Sequence, residues 1–95
     1  MSVHQPPVDR VVESFRDEIT TLDVRLVSTI NARIKAVQAL AEYKSEHGLA
    51  FLDPDREAWL VGHLKRLNSG PISEQGLDEL LAFVLALVKR EVANG

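Results

Sequence analysis

The sequence predicts an all-α protein with three helices per chain, one long and two shorter, that pairs as an intertwined homodimer. Proline and glycine are confined to a few places and leave three uninterrupted stretches between them. In each stretch apolar residues recur at steps of three and four, as in amphipathic helices. No segment alternates apolar and polar residues over the length of a β-strand. A length of 95 residues predicts one domain, 1–95, with residues 1–7 expected to be disordered.

The first stretch, about residues 8–47, predicts the long helix. It contains no Gly or Pro, and Gly48 offers a stop at its end. About 38 residues at 1.5 Å each give a rod of roughly 55–60 Å. The alternative is a break near residues 28–31 that folds the stretch into a hairpin. The apolar positions are Val12, Phe15, Ile19, Leu22, Leu26, Ile30, Val37 and Leu40.

The length of this rod is the reason to expect a dimer. A compact chain of this size has a radius of gyration of about 12–13 Å, so the rod extends beyond any single-chain globule. Its apolar stripe continues along the overhang and has to be covered. A second copy of the chain is the simplest cover.

Capping residues predict where the two shorter helices begin. Asp53 is a good N-cap, and Pro54 suits the first helical position because no amide hydrogen is needed there. Ser73 is the N-cap candidate of the third helix, with Glu74 well placed in its first turn. The third helix is apolar nearly all round, which predicts burial on most sides, in the middle of a dimer. Its apolar residues are Leu80, Leu81, Phe83, Val84, Leu85, Leu87 and Val88.

Composition excludes several classes of protein. The net charge of −3 argues against a nucleic-acid partner, and the lack of cysteine excludes disulfides and thiolate sites. No apolar run approaches the ~18 residues of a membrane span. The polar N-terminus does not resemble a secretory signal, so a cytoplasmic location is expected. The three histidines lack metal-ligand spacing and are interpreted as surface residues, so no metal is expected: His4, His47 and His63.

Two cations interrupt the apolar face of the long helix. Arg33 and Lys44 are 11 residues apart, about three turns, so they point the same way. A buried cation without a partner is costly, and we therefore expect an anionic group to meet them. The alternative is that they extend to solvent or pair with Glu57 or Asp53.

Arg16 is a third candidate cation. It precedes Arg33 by 17 residues, some 25 Å along the rod, so it cannot reach the same place within its own chain. In an antiparallel dimer the partner's Arg16 could complete a cluster of three. The alternative is an exposed helical ion pair with Glu13, worth a few tenths of a kcal/mol.

Taken together, these residues and their intervals match a known family. The matching positions are Arg16 with Ile19, Leu22 and Asp23; Arg33; Lys44 ahead of Gly48; Asp53 through Arg56 and Glu57; and the turn at 69–73. With this combination the chain resembles the all-helical AroQ class of chorismate mutases over nearly its whole length. The resemblance implies an intertwined dimer with two shared active sites, no cofactor, and the Claisen rearrangement of chorismate to prephenate in aromatic amino-acid biosynthesis.

The resemblance also implies roles for the cations. The partner's Arg16 and Arg33 would clamp the substrate carboxylates, and Arg56 would support the ring carboxylate. Lys44 would hydrogen-bond the ether oxygen and a carboxylate. Such a site needs no nucleophile, metal or redox group, because it holds a chair-like conformer and stabilises charge on the breaking C–O bond.

The segment that opens the second helix would recognise the ring. Glu57 would accept a hydrogen bond from the ring hydroxyl, assisted by the backbone or side chain near Asp53. Glu57 favours a mutase acting on chorismate, although a carboxylate would also accept from an ammonium.

The last helix departs from the family pattern. The family has a small or hydroxyl residue and, four positions later, a Gln or Glu that donates to the ether oxygen; these places fall on Val88 and Val92. A shift of one residue would offer Glu91 or Lys89 instead. The short C-terminus resembles subfamilies that are weak alone and are stimulated by a partner enzyme. Otherwise Lys65–Arg66 and Lys89–Arg90 are interpreted as solvated faces.

Three other functions stay open at this point. Two are enzymes acting on a chorismate-like dianion, an isochorismate pyruvate lyase or an aminodeoxychorismate mutase. The third is a non-catalytic helical dimer that serves as an interaction module. The embedded cations Arg33 and Lys44 separate the enzymes from the module, because a pure dimerisation helix has no need of them.

Overall fold

The computed structural model describes residues 7–95, and this part of the chain contains three α-helices. They are α1 (Pro7–Glu46), α2 (Pro54–Leu67) and α3 (Glu74–Asn94). The predicted all-α class with one long and two shorter helices is confirmed. The disorder expected for residues 1–7 concerns positions that, apart from Pro7 at the start of α1, lie outside the described residues.

The long helix runs without a break, so the alternative of a hairpin near residues 28–31 is wrong. All 40 residues of α1 are helical. The helix ends where Gly48 takes a left-handed φ of 66°, which a residue without a Cβ adopts at little cost. Leu49 N donates to Lys44 O at 2.8 Å, and Gly48 N donates to Ser45 O at 3.4 Å. These two bonds form a Schellman motif, as expected from a glycine just past the last turn.

Side-chain caps begin the two shorter helices at the predicted residues. Asp53 Oδ1 accepts a hydrogen bond from Arg56 N at 3.0 Å, and Pro54 occupies the first helical position. Ser73 Oγ accepts from Gly76 N at 3.0 Å at the start of α3. Each cap satisfies an amide hydrogen that has no carbonyl partner inside its helix.

The chain forms two units, which divide within α1 between Ala32 and Arg33. In the described residues up to Ala32 the apolar stripe of α1 is exposed: Val12, Phe15, Ile19, Leu22 and Leu26 all present their side chains to solvent. A single chain therefore leaves this stripe uncovered.

In the second unit, Arg33–Gly95, α2 and α3 pack against each other. Leu77 and Val88 of α3 are the buried hydrophobic residues, whereas Leu80 and Phe83 remain exposed. The burial expected on most sides of α3 is thus not reached within one chain, and it stays a prediction for the dimer. None of the helices in the described residues combines the length and hydropathy needed to cross a membrane.

Lys65 joins the end of α2 to the start of α3. Its Nζ lies 2.9 Å from Asp78 Oδ1 and 3.4 Å from Glu74 Oε1. The hydrogen bond to Asp78 raises the pKa of Lys65 above its ordinary value, and Glu74 acts in the same direction. Arg66 is exposed, as the interpretation of a solvated face expects, whereas Lys65 is half-buried and pairs with two acidic residues of α3 at the surface.

The cap of α3 gives a first testable prediction. Ser73→Ala removes the acceptor of Gly76 N, and we expect it to lower the free energy of unfolding by about 1 kcal/mol per chain. The measurement is urea denaturation followed by circular dichroism. Ser69→Ala, at an exposed position of the same turn, is the control and should change the midpoint little. Equal midpoints for the two variants would contradict the capping role.

Candidate active site

A pocket of about 210 Å³ lies within the second unit, between the last part of α1, the start of α2 and the second half of α3. Four α1 positions face it at steps of four, three and four, which places them on one side of the helix. The lining residues are Arg33, Val37, Leu40, Lys44, Phe51, Leu52, Asp53, Arg56, Glu57, Leu60, Leu85, Val88 and Lys89. The predicted site residues of this unit thus meet in one cavity, Val92 excepted.

Arg33 and Lys44 stand in this pocket without an acidic partner. Lys44 Nζ donates to the backbone carbonyl of Phe51 at 3.3 Å. Within residues 7–95, no carboxylate lies within ion-pair distance of either cation. The alternative that they pair with Glu57 or Asp53 is wrong, because neither carboxylate comes within ion-pair distance of these two cations. Both cations keep hydrogen-bonding capacity for a ligand.

Glu57 forms an ion pair with Lys89 of α3. Lys89 Nζ lies 2.9 Å from Glu57 Oε1, and the two side chains are 39% and 38% exposed. The interpretation of Lys89 as part of a solvated face is wrong, because Lys89 lines the pocket and pairs with Glu57. The sequence carried a partial signal, since a one-residue shift of the family pattern offers Glu91 or Lys89 without choosing between them.

Arg56 and Asp53 lie at the opening turn of α2. The guanidinium of Arg56 is 4.2 Å from the centre of the Trp59 ring, a cation–π contact. The backbone amide of Arg56 donates a hydrogen bond to the carboxylate of Asp53, the N-cap of α2. Arg56 also lines the pocket, whereas Trp59 is not among the lining residues. Asp53 therefore both begins the helix and contributes to the lining.

The two valines of α3 differ in their placement. Val88 is 1% exposed and forms part of the apolar wall of the pocket. Val92 is half-buried, and among the described residues it is not one of those that line this pocket. Neither side chain has a hydrogen-bond donor, so the polar group nearest in sequence on this wall is Lys89.

Arg16 belongs to the first unit, where it forms the ion pair foreseen as its alternative role. Its Nη1 lies 3.3 Å from Glu13 Oε1, and the Arg16 side chain is 70% exposed. An exposed pair of this kind contributes little to stability and is easily exchanged for another anion.

The described histidines make ring contacts. His47 stacks on Tyr43 with centroids 4.0 Å apart, and His63 stacks on Trp59 at 4.7 Å. Among residues 7–95 no group of three or more His, Cys, Asp or Glu side chains is arranged to hold a metal ion. His4 lies outside the described residues.

The charges of the pocket suit a ligand with two negative groups. Four cationic side chains and two carboxylates line it, which leaves a formal charge of +2. Apolar side chains make up the rest of the wall, and in such surroundings hydrogen bonds to ions are stronger than in water. The arrangement can bind a small dianion, fix its conformation and stabilise charge that develops near Lys44.

Comparison with known proteins bears on this pocket. Residues 15–92 match the family described as chorismate mutase type II. The bifunctional chorismate mutase/prephenate dehydratases of Stutzerimonas stutzeri and Pseudomonas aeruginosa are each 28% identical over 80 residues, 79% of this chain and 22% of theirs. The 4-amino-4-deoxychorismate mutase of Streptomyces venezuelae is 32% identical over 68 residues, 72% of this chain and 62% of that protein. The chain thus spans about a fifth of the bifunctional relatives' length.

Proposed function

The chain belongs to the chorismate mutase type II family, and we propose that it is an isomerase that converts chorismate to prephenate without a cofactor. One observation carries the proposal: Arg33 and Lys44, free of acidic partners in the described residues, face one largely apolar pocket. A pocket that only stabilised the fold has no need of two cations without acidic partners, whereas a ligand with two carboxylates supplies those partners.

The proposed mechanism follows from the positions of the charges. Arg33 binds one substrate carboxylate and Arg56 supports the other, so the substrate is held in the compact conformer that the rearrangement requires. Lys44 donates to the ether oxygen as the C–O bond breaks and negative charge grows there. Glu57 accepts a hydrogen bond from the ring hydroxyl, and Asp53 keeps this turn of α2 in place.

We further propose that two chains share each site. The exposed stripe of α1, from Val12 to Leu26, and the exposed Phe83 of α3 support this, because apolar faces of that extent are usually covered by a partner. Arg16 of the partner subunit would then exchange its weak pair with Glu13 for a substrate carboxylate.

A second candidate is a mutase that acts on the 4-amino analogue of chorismate. The similarity to the Streptomyces venezuelae protein favours it, and a carboxylate such as Glu57 can accept from an ammonium as well as from a hydroxyl. Both candidates use the same cations and differ in the group that Glu57 meets.

The test follows the loss of chorismate by ultraviolet absorbance and identifies the product by chromatography. We expect purified protein to form prephenate. Val88 supplies no second donor to the ether oxygen on the α3 wall, so we expect the activity of the chain alone to be weak. We therefore also propose that a partner enzyme stimulates it, and the assay is repeated in extract from the source cells. The proposal fails if wild-type protein, alone or in extract, consumes chorismate no faster than Lys44→Ala under the same conditions.

A further inference from the structure

We propose that Lys89 is the specificity-determining residue of this pocket: its ion pair with Glu57 selects a substrate with a neutral hydroxyl at the ring position and rejects the ammonium analogue. The inference rests on the proposed function, because it assigns Glu57 to the ring substituent. It decides between the two candidate substrates from the contacts of one side chain.

Lys89 places a positive charge beside Glu57, the carboxylate that would recognise the ring substituent. Lys89 Nζ is 2.9 Å from Glu57 Oε1, and both residues line the same pocket. Both side chains are partly exposed, so the pair lies at the wall of the pocket and is reachable by a ligand. In the described part of the chain, Glu57 Oε2 has no ion-pair or hydrogen-bond partner.

A carboxylate in this state discriminates between the two substituents. Glu57 can accept a hydrogen bond from a neutral hydroxyl at Oε2 while Oε1 remains on Lys89, because a carboxylate offers about four acceptor positions. An ammonium at the same place would lie within a few ångströms of Nζ and would share one negative charge with it. The repulsion between two like charges at that distance disfavours the amino substrate.

Lys89 and its neighbours on α3 have different surroundings. Val88 is 1% exposed and lines the pocket together with Lys89. Arg90 follows on a different side, where it is 63% exposed and pairs with Glu91 at 3.5 Å. The two adjacent cations therefore differ in their relation to Glu57, and Arg90 provides a matched control.

The experiment compares kcat/KM for chorismate and for 4-amino-4-deoxychorismate in four proteins: wild type, Lys89→Gln, Lys89→Arg and Arg90→Gln. We expect wild type to prefer chorismate. Lys89→Gln should shift the ratio of the two kcat/KM values about tenfold toward the amino substrate, a change of about 1.4 kcal/mol. Lys89→Arg keeps the charge and should retain the preference, as should Arg90→Gln.

The outcomes separate this inference from the function on which it rests. If wild type converts chorismate but Lys89→Gln leaves the ratio unchanged, or if wild type prefers the amino substrate, the role of Lys89 is overturned while the mutase activity stands. If wild type converts neither compound, the proposed function fails and the inference with it. Should Lys89→Gln be folded but inactive, calorimetric affinities for the two unconverted substrates supply the ratio.

Discussion

Replacement of Lys44 by alanine is expected to lower kcat for chorismate by about 10²–10³-fold, the loss typical of removing one donor to a developing oxyanion. Lys44 is half-buried, and its ammonium is held in the pocket by the carbonyl of Phe51 at 3.3 Å. The ammonium has no carboxylate partner among the described residues, so it keeps donor capacity for a ligand.

The control for this variant is Lys35→Ala. Lys35 is an exposed lysine on α1, two turns and a half before Lys44, and it does not belong to the residues found to line the pocket within the described chain. We expect it to retain wild-type kcat. Steady-state kinetics and circular dichroism are measured on both variants. A folded Lys44→Ala protein with a kcat within threefold of wild type, about 0.7 kcal/mol, would contradict the assignment of Lys44 to the ether oxygen.

Mixing two inactive chains is expected to restore activity, and this is the second large effect. Arg16→Ala and Lys44→Ala should each be nearly inactive alone. In a dimer with shared sites, a mixed pair places both changes in one site and leaves the other intact. Random pairing makes half of the dimers mixed, so about a quarter of the wild-type activity should return.

The matched control combines Arg33→Ala with Lys44→Ala. Arg33 and Lys44 line the same pocket of one chain, so every site of a mixed dimer still lacks one of them. No recovery is expected. Differently tagged chains are unfolded together, refolded and assayed, and mass measurement verifies that mixed dimers form. If mixed dimers of Arg16→Ala and Lys44→Ala form but remain inactive, the sites are not shared; a folded monomer in sedimentation would refute the dimer itself.

The helices could be predicted because their causes are local. Asp53 and Ser73 cap amides three residues further along, and Gly48 ends α1 through bonds that span at most five residues. Such features are read from spacing and residue type alone. The shared face of Arg33 and Lys44 was predictable for the same reason, because a continuous helix fixes the direction of both side chains.

Contacts between helices could not be predicted in this way. Lys65 was interpreted as solvated, yet it meets Glu74 and Asp78 once α2 packs on α3. The face of α3 that borders the pocket could not be predicted either, because it depends on how the helix is rotated about its axis. In the structure Leu77 and Val88 are the buried hydrophobic residues of α3, and Val88 and Lys89 both line the pocket.

The amino-acid order alone therefore determined the three helices, their caps, the cationic face of α1 and the family to which these intervals belong. Tertiary structure decided the partner of Glu57: Lys89 is 32 residues away along the chain, and the packing of α3 on α2 brings their charges to 2.9 Å. The physical reason is that capping and periodicity act within a few residues, whereas an ion pair between helices depends on packing, which spacing along one helix does not encode.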